Sequence, residues 1–293
     1  AKFLKYLPDV AVVGNLEFDH ADIYADFEAI RSAVRRLVAL LPQRGLLVLG
    51  ADNPAALEMR EDAPCRVMTF GLTEAAEWRA TRVEPAPDST RFVVEHRGQR
   101  VADLRVPLVG EFNVRNALAA FAVATDAGLD AATIIASVGR FEGVRRRLEL
   151  RGRARGVSVY DDFAHHPTAV RETLAGVRAA FPSRRIWALF EPRSATSCRR
   201  VFQEDFAGAF TVADEVIIGR VYRSSLPEGE RLSEDELVVG ICATGVRARY
   251  LGEVGDIVRV LVDEAREEDL VVVMSNGAFG GIHGRLLEAL AGR

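Results

Sequence analysis

Five short stretches of this sequence hold side chains whose types and spacing could do chemistry. In the first, Asn15 to Tyr24 reads NLEFDHADIY and packs Glu17, Asp19 and Asp22 around the imidazole of His20. Hard oxygen ligands with one nitrogen suit a divalent cation that bridges phosphates, because Mg²⁺ commonly takes only one or two protein ligands. The same stretch reads equally as a polar loop in which Asp22 or Asp26 caps the next helix. In the second, GEFNVRNALAA opens a helix with Asn113 and Asn116 three residues apart, so both amides project from its first turn. Paired amides match the donor and acceptor edge of adenine, whereas a lone Asn113 would serve as an N-cap.

In the third stretch Arg145, Arg146 and Arg147 are followed by Arg151, Arg153 and Arg155. Planar guanidinium forks suit a phosphate clamp, and a solvated arginine-rich linker would have the same composition. The fourth, VYDDFAHHPT, sets Asp161 and Asp162 just before His165 and His166. Neighbours on an extended chain point apart and no third ligand follows at zinc-site spacing, which disfavours zinc. The fifth is a pair of strand ends, FEPRS with Arg193 and Ser194, and MSNGAFGGIH with Asn276 and His283. The second of these is glycine-rich ahead of a helix, an arrangement that lets backbone amides approach an anion and that any tight turn also requires.

The elements that would position these groups follow from periodicity. Asp9–Asn15 reads as a buried strand, Asp26–Leu41 as a helix stopped by Pro42, and Leu46–Leu49 as a second strand. Residues 76–108 alternate as antiparallel strands, and Val114–Ala127 and Ala131–Val138 read as helices. From Val157 onward, strands at Val157–Tyr160, Ile186–Phe190, Glu215–Ile218, Ala248–Leu251 and Leu270–Met274 alternate with helical stretches. That rhythm predicts an α/β fold ending in a Rossmann-like domain with a mainly parallel sheet, whose ligands gather at strand carboxyl ends. Two domains are expected, residues 1–150 and 151–293, with the boundary in the arginine-rich segment Gly143 to Gly156.

Bulk properties narrow the class. A length of 293 residues carries two cores, and a net charge of −4 argues against a general nucleic-acid binder. No apolar run spans a bilayer, and no signal sequence opens the chain, so a cytoplasmic protein without membrane partners is expected. Cys65, Cys198 and Cys242 stand far apart, as in a reducing compartment. Lys2 and Lys5 are the only lysines among 38 basic residues, so chemistry requiring a lysine inside the fold is not available. Nothing in the sequence sets an oligomeric state.

Taken together and in this order, the strings NLEFDHADIY, GEFNVRNALAA, GVRRRLE, VYDDFAHHPT, FEPRS and MSNGAFGGIH resemble the Mur ligase family over nearly the whole chain. The resemblance implies the carboxyl-terminal part of the central ATPase domain followed by the Rossmann-like last domain. It implies a fragment, since the family's amino-terminal UDP-sugar domain and its lysine-bearing phosphate loop have no counterpart. The implied cofactors are ATP and Mg²⁺. The implied reaction is ATP-dependent amide formation through an acyl phosphate, in cell-wall metabolism and murein recycling. FEPRS and MSNGAFGGIH favour the branch that joins UDP-N-acetylmuramate to a murein tripeptide over the branch that adds L-alanine. A non-catalytic nucleotide or muropeptide module is the rival from another class.

Residue by residue, the resemblance implies His20 as a Mg²⁺ ligand and Asn113 with Asn116 at adenine. Arg147 would meet the nucleotide and Asp162 its ribose, with His165 and His166 toward the phosphates or substrate. Arg193, Ser194, Asn276 and His283 would receive the incoming peptide. Arg35 and Arg36 stand in the region where several relatives carry a carbamylated lysine, and a guanidinium cannot form that ligand.

Overall fold

A computed structural model describes residues 2–222 and 226–292. The chain divides into two compact units, Ala1–Glu142 and Gly143–Arg293. Both are α/β, each built on one six-stranded sheet.

In the first unit the elements run β1 (Val10–Val13), α1 (Phe27–Val38), β2 (Leu46–Gly50), α2 (Pro54–Glu58), β3 (Arg66–Gly71), β4 (Trp78–Ala86), β5 (Ser89–His96), β6 (Gln99–Val106), α3 (Glu111–Asp126) and α4 (Ala131–Gly139). The strands lie in sequence order, parallel from β1 to β4 and antiparallel from β4 to β6. Alternation sorts the side chains. Leu46, Val48, Met68, Phe70, Phe92 and Leu104 pack beneath Val114, Leu118 and Phe121 of α3. Ala11, Val13, Leu47 and Leu49 pack against Val34 and Val38 of α1. Each such fully buried side chain is worth roughly 1.5–3 kcal/mol of transfer free energy.

Two expectations need correction here. β1 is half-buried rather than buried, with Val10 and Val12 at 42% and 48% exposure. The residues facing α3 come from β2 to β6 and not from β1, so among the described residues one face of this edge strand is left uncovered. Residues 66–71, not read as a strand, form β3. The turn from β5 to β6 is Arg97-Gly98, both with positive φ (51° and 78°), the two-residue geometry whose twist matches a hairpin.

In the second unit the order is β7 (Glu149–Ala154), β8 (Val157–Asp162), α5 (Pro167–Ala180), β9 (Ile186–Phe190), α6 (Gln203–Ala209), β10 (Glu215–Ile218), α7 (Glu234–Ala243), β11 (Arg247–Tyr250), α8 (Val254–Glu264), β12 (Leu270–Met274) and α9 (Ile282–Ala291). The sheet runs β11-β10-β9-β12-β8-β7, parallel throughout except for β7. Val159, Trp187, Leu189, Val271 and Val273 face Ile257, Leu261, Ile282 and Leu286 of α8 and α9. On the opposite face the Phe190 ring meets Phe206 of α6 at 4.9 Å.

The arginine-rich segment is more than a connector, since β7 occupies its second half. Its charged residues conceal a strand because, at the sheet's edge, no residue of β7 is fully buried. Among the described residues, no helix is long and apolar enough to cross a membrane.

Candidate functional site

In the first unit the loops after β1, β2 and β3 are laced together by short polar side chains. Asn53 caps α2 by accepting from Ala56 N at 2.8 Å, and the same oxygen accepts from Leu16 N at 3.3 Å. Next to it, Asp52 accepts from Leu72 N and Thr73 N at about 3.0 Å and from Arg115 Nε of α3 at 2.9 Å. Burial pushes the Asp52 carboxyl up, but these donors outweigh burial and hold it below its ordinary value. Asp52 and Arg115 therefore fix the start of α3 relative to the strand ends. Neither was singled out from sequence.

His20 lies in the loop after β1 with φ 53°, and its carbonyl accepts from Ile23 N and Tyr24 N at 2.8 and 3.0 Å. A left-handed non-glycine residue costs about 1–3 kcal/mol and persists where its surroundings hold it. The imidazole is 66% exposed and 4.0 Å from Asp19 Oδ2. Asp26 caps α1 through Ala29 N, so that part of the plain loop reading holds.

At the start of α3 the two asparagines differ. Asn116 is exposed, while Asn113 is buried and donates from Nδ2 to Val109 O at 2.8 Å. The N-cap is Gly110, not Asn113.

In the second unit β8, β12 and β9 are neighbours, and their carboxyl ends gather most of the polar residues of interest. Arg146 is central. Its Nη2 donates to Ser275 O and Gly277 O at 2.5 and 2.7 Å, and its Nε lies 3.4 Å from Asp161 Oδ2. His283 Nε2 of α9 stands 3.4 Å from Asp161 Oδ1 on the other side. Burial raises the Asp161 pKa, but His283 and Arg146 outweigh it and bring it below the ordinary value. Phe163 carries both neighbouring guanidiniums, with Arg146 at 5.0 Å and Arg147 at 5.6 Å from the ring centroid. Arg147 itself is exposed.

Asp162 is 2% exposed, and its oxygens accept from Leu148 N and Ala164 N at 2.8 Å. Burial raises its pKa, with those amides opposing. As placed it braces the backbone beside Arg147. His165 Nδ1 contacts Phe163 O at 2.8 Å, and His166 caps α5 by accepting from Thr168 N at 3.3 Å. Both rings are half-buried.

After β9, Ser194 is buried and exchanges hydrogen bonds with Ser197, whose Oγ also accepts from Arg193 N at 2.9 Å. Glu191, 8% exposed, accepts from Ser275 Oγ at 2.5 Å, and that hydroxyl accepts from Gly277 N at 2.9 Å. Arg193 Nη1 lies 3.8 Å from Glu191 Oε1. The amide oxygen of Asn276 is buried without a hydrogen-bond partner among the described residues. Such an acceptor is ordinarily met by water or by a ligand donor. The carboxyl ends of β9 and β12 thus carry a guanidinium 3.8 Å from a buried carboxylate, and the residue between Ser275 and Gly277 adds an amide oxygen without a protein donor among the described residues.

The fit to cofactors can be judged from these groups. Among the described residues, no three His, Cys, Asp or Glu side chains could hold a metal together. The exposed His20 imidazole suits a Mg²⁺ ion whose other ligands are water and phosphate. The exposed Asn116 amide and Arg147 guanidinium suit a base edge and a phosphate or ribose oxygen.

Residues 2–124 match the Mur ligase middle domain, and residues 146–277 match the Mur ligase glutamate ligase domain. The chain belongs to the Mur ligase family. This Mur ligase chain is 37% identical over 292 residues to the UDP-N-acetylmuramate–L-alanyl-γ-D-glutamyl-meso-2,6-diaminoheptandioate ligase of Escherichia coli (strain K12), covering 99% of the chain and 61% of that relative. It is 31% identical to the UDP-N-acetylmuramate–L-alanine ligase of Desulfitobacterium hafniense (strain Y51), covering 94% of the chain and 61% of the relative. Among solved structures it is similar to a murein peptide ligase from Psychrobacter arcticus 273-4, with a TM-score of 0.69 and 30% identity over 100% of this chain and 60% of that one. The UDP-N-acetylmuramate-alanine ligase of Thermotoga maritima, at 22% identity and a TM-score of 0.77, shares the fold, covering 97% of this chain and 60% of that one. The chain thus spans about 61% of the length of the curated relatives it matches.

Proposed function

We propose that this chain is the carboxyl-terminal part of a cytoplasmic, ATP-dependent amide ligase that joins UDP-N-acetylmuramate to L-Ala-γ-D-Glu-meso-diaminopimelate in murein recycling. The observation that carries the reading is the cluster at the carboxyl ends of β9 and β12, where Arg193 lies 3.8 Å from the buried Glu191 carboxylate and against Gly277, the residue after Asn276. A guanidinium beside a buried carboxylate and an orphan amide oxygen suits a peptide bearing both carboxylate and amino groups. Similarity to the Escherichia coli ligase over nearly the whole chain supports the same substrate class.

ATP, with Mg²⁺, would activate the muramate carboxylate as an acyl phosphate, giving the incoming amine a leaving group to displace. The chain's own residues bind and orient. Arg193, Asn276 and His283 would hold the peptide, with Ser194 shaping the turn that carries Arg193. His20 would hold Mg²⁺. Asn116 and Arg147 would face the nucleotide, while Asn113 and Asp162 would act through the backbone they brace. His165 and His166 would line the approach to phosphate or substrate. Lys2 and Lys5 are the only lysines, and on that ground the 293-residue chain by itself is expected to show no ATP-dependent ligation.

A second reading, ligation of L-alanine to UDP-N-acetylmuramate, is supported by the 31% identical relative from Desulfitobacterium hafniense. Calorimetry with the purified chain separates the two. Heat of binding with the tripeptide and none with L-alanine at equal millimolar concentration is expected, and the reverse pattern overturns the first reading. ADP release dependent on tripeptide would contradict the expected lack of turnover.

A further inference from the structure

Among the described residues, the side chain of Arg193 is held on several sides by groups that make no hydrogen bond to its guanidinium. Its guanidinium carbon lies 3.7 Å from the centroid of the Tyr222 ring, a direct face contact. A Cβ placed on Gly277 would come within 2.1 Å of Arg193 Cδ and 2.7 Å of Cζ, so the stem and head lie against the Gly277 backbone. Glu191 Oε1 stands at 3.8 Å, beyond hydrogen-bond distance. Tyr222 is itself tied to the same turn, since its N–H donates to Pro192 O at 2.9 Å, one residue before Arg193. Yet Tyr222 is 59% exposed, a poor placement for an aromatic residue whose only task is core packing.

We infer that Tyr222 is a positioning residue for the acceptor peptide, fixing the Arg193 guanidinium so that its free edge receives a substrate carboxylate. The inference rests on the reading of the pocket given above and adds a residue that no motif supplied. The physical reason is preorganisation. An arginine left to its rotamers loses side-chain entropy on being ordered by a ligand. A cation–π contact removes that loss beforehand and leaves the planar fork available for bidentate pairing. The hydroxyl is not needed for this, because the ring face alone makes the contact.

The test is calorimetric binding of L-Ala-γ-D-Glu-meso-diaminopimelate, and of the same peptide with its carboxylates amidated, to the 293-residue chain. Unmodified protein, Tyr222→Phe, Tyr222→Ala and Tyr222→Leu are compared, each checked for an unchanged melting transition. Tyr222→Phe is expected to bind within about twofold of the unmodified chain, and Tyr222→Ala and Tyr222→Leu about tenfold more weakly, since tenfold corresponds to ~1.4 kcal/mol. Amidating the peptide should weaken binding to the unmodified chain strongly and to Tyr222→Ala much less, because the ring and the carboxylate act through one guanidinium. Equal affinity in all four proteins, or a Phe variant as weak as Ala, overturns the inference while leaving the pocket reading intact. No binding of tripeptide to the unmodified chain overturns the pocket reading and the role of Tyr222 with it.

Discussion

Arg146 Nη2 holds the carbonyl oxygen of Gly277 at 2.7 Å across 131 residues of sequence. The same nitrogen holds Ser275 O, so one guanidinium grips the backbone on both sides of Asn276. The segment that presents Arg147 and the loop that presents Asn276 are thereby one mechanical piece.

Replacing Arg146 by Met removes the donor to two carbonyls and one partner of the buried Asp161. A loss of about 2–4 kcal/mol in the unfolding free energy is expected, since hydrogen bonds to charged groups are worth roughly 1.5–3 kcal/mol and a broken buried pair costs more. Urea unfolding of the variant checks this, and a change under about 0.5 kcal/mol, the scale of ordinary surface substitutions, would refute the role given to Arg146.

Asp52 sets an acid limit on the first unit. Its folded pKa lies below the ordinary 3.8 despite burial, because Leu72 N, Thr73 N and Arg115 favour the charged form. A depressed carboxylate adds stability that is full above its unfolded pKa and is lost as pH falls through its folded value. Asp52→Asn is therefore expected to cost about 1–3 kcal/mol at pH 7, with the difference from the parent closing as pH falls below the ordinary carboxylate range. Paired denaturation curves from pH 7 to pH 2.5 would show it, and a difference independent of pH would contradict it.

At the opposite end of the second sheet, Asp269 accepts from Trp187 Nε1, Arg185 and Arg266 N. Asp269→Ala strands a buried indole N–H and a guanidinium, so a loss of about 3–5 kcal/mol is expected. Peptide affinity measured below the melting transition should stay within about twofold, because no peptide-pocket residue is among these partners. A selective loss of affinity without loss of stability would be the contrary result.

Gly277→Ala tests close approach. The new methyl would meet Arg193 Cδ at 2.1 Å, so the arginine must swing away from its seat. Tripeptide binding is expected to weaken at least tenfold, about 1.4 kcal/mol or more, with stability changed by about 1–3 kcal/mol. Affinity equal to the parent's would show that Arg193 does not depend on that seat.

The second sheet was legible because Ile186–Phe190 and Leu270–Met274 are continuous apolar runs, the pattern that burial on both faces imposes. β7 was hidden because an edge strand with arginines on its exposed positions lacks that pattern. The site was legible only where chemistry is local. Arg193 and Asn276 stand at strand ends marked by glycine, proline and serine. Asp52 and Arg115 lie 63 residues apart, and nothing short-range connects them. Arg146 and Arg147 are identical in type and adjacent, so sequence could not tell which one turns inward to the Ser275–Gly277 loop. Tyr222 carried no motif at all.

The change from parallel to antiparallel pairing in the first sheet has a kinetic consequence. β4, β5 and β6 are joined by two-residue connections, so their ladder can zip within microseconds, as isolated hairpins do. β1, β2 and β3 find each other only across intervening helices, and such non-local pairing is slow. Pulse-labelled amide exchange during refolding should therefore protect the β5 amides well before those of β2, with the meander serving as the platform on which the loops around Asp52 later assemble.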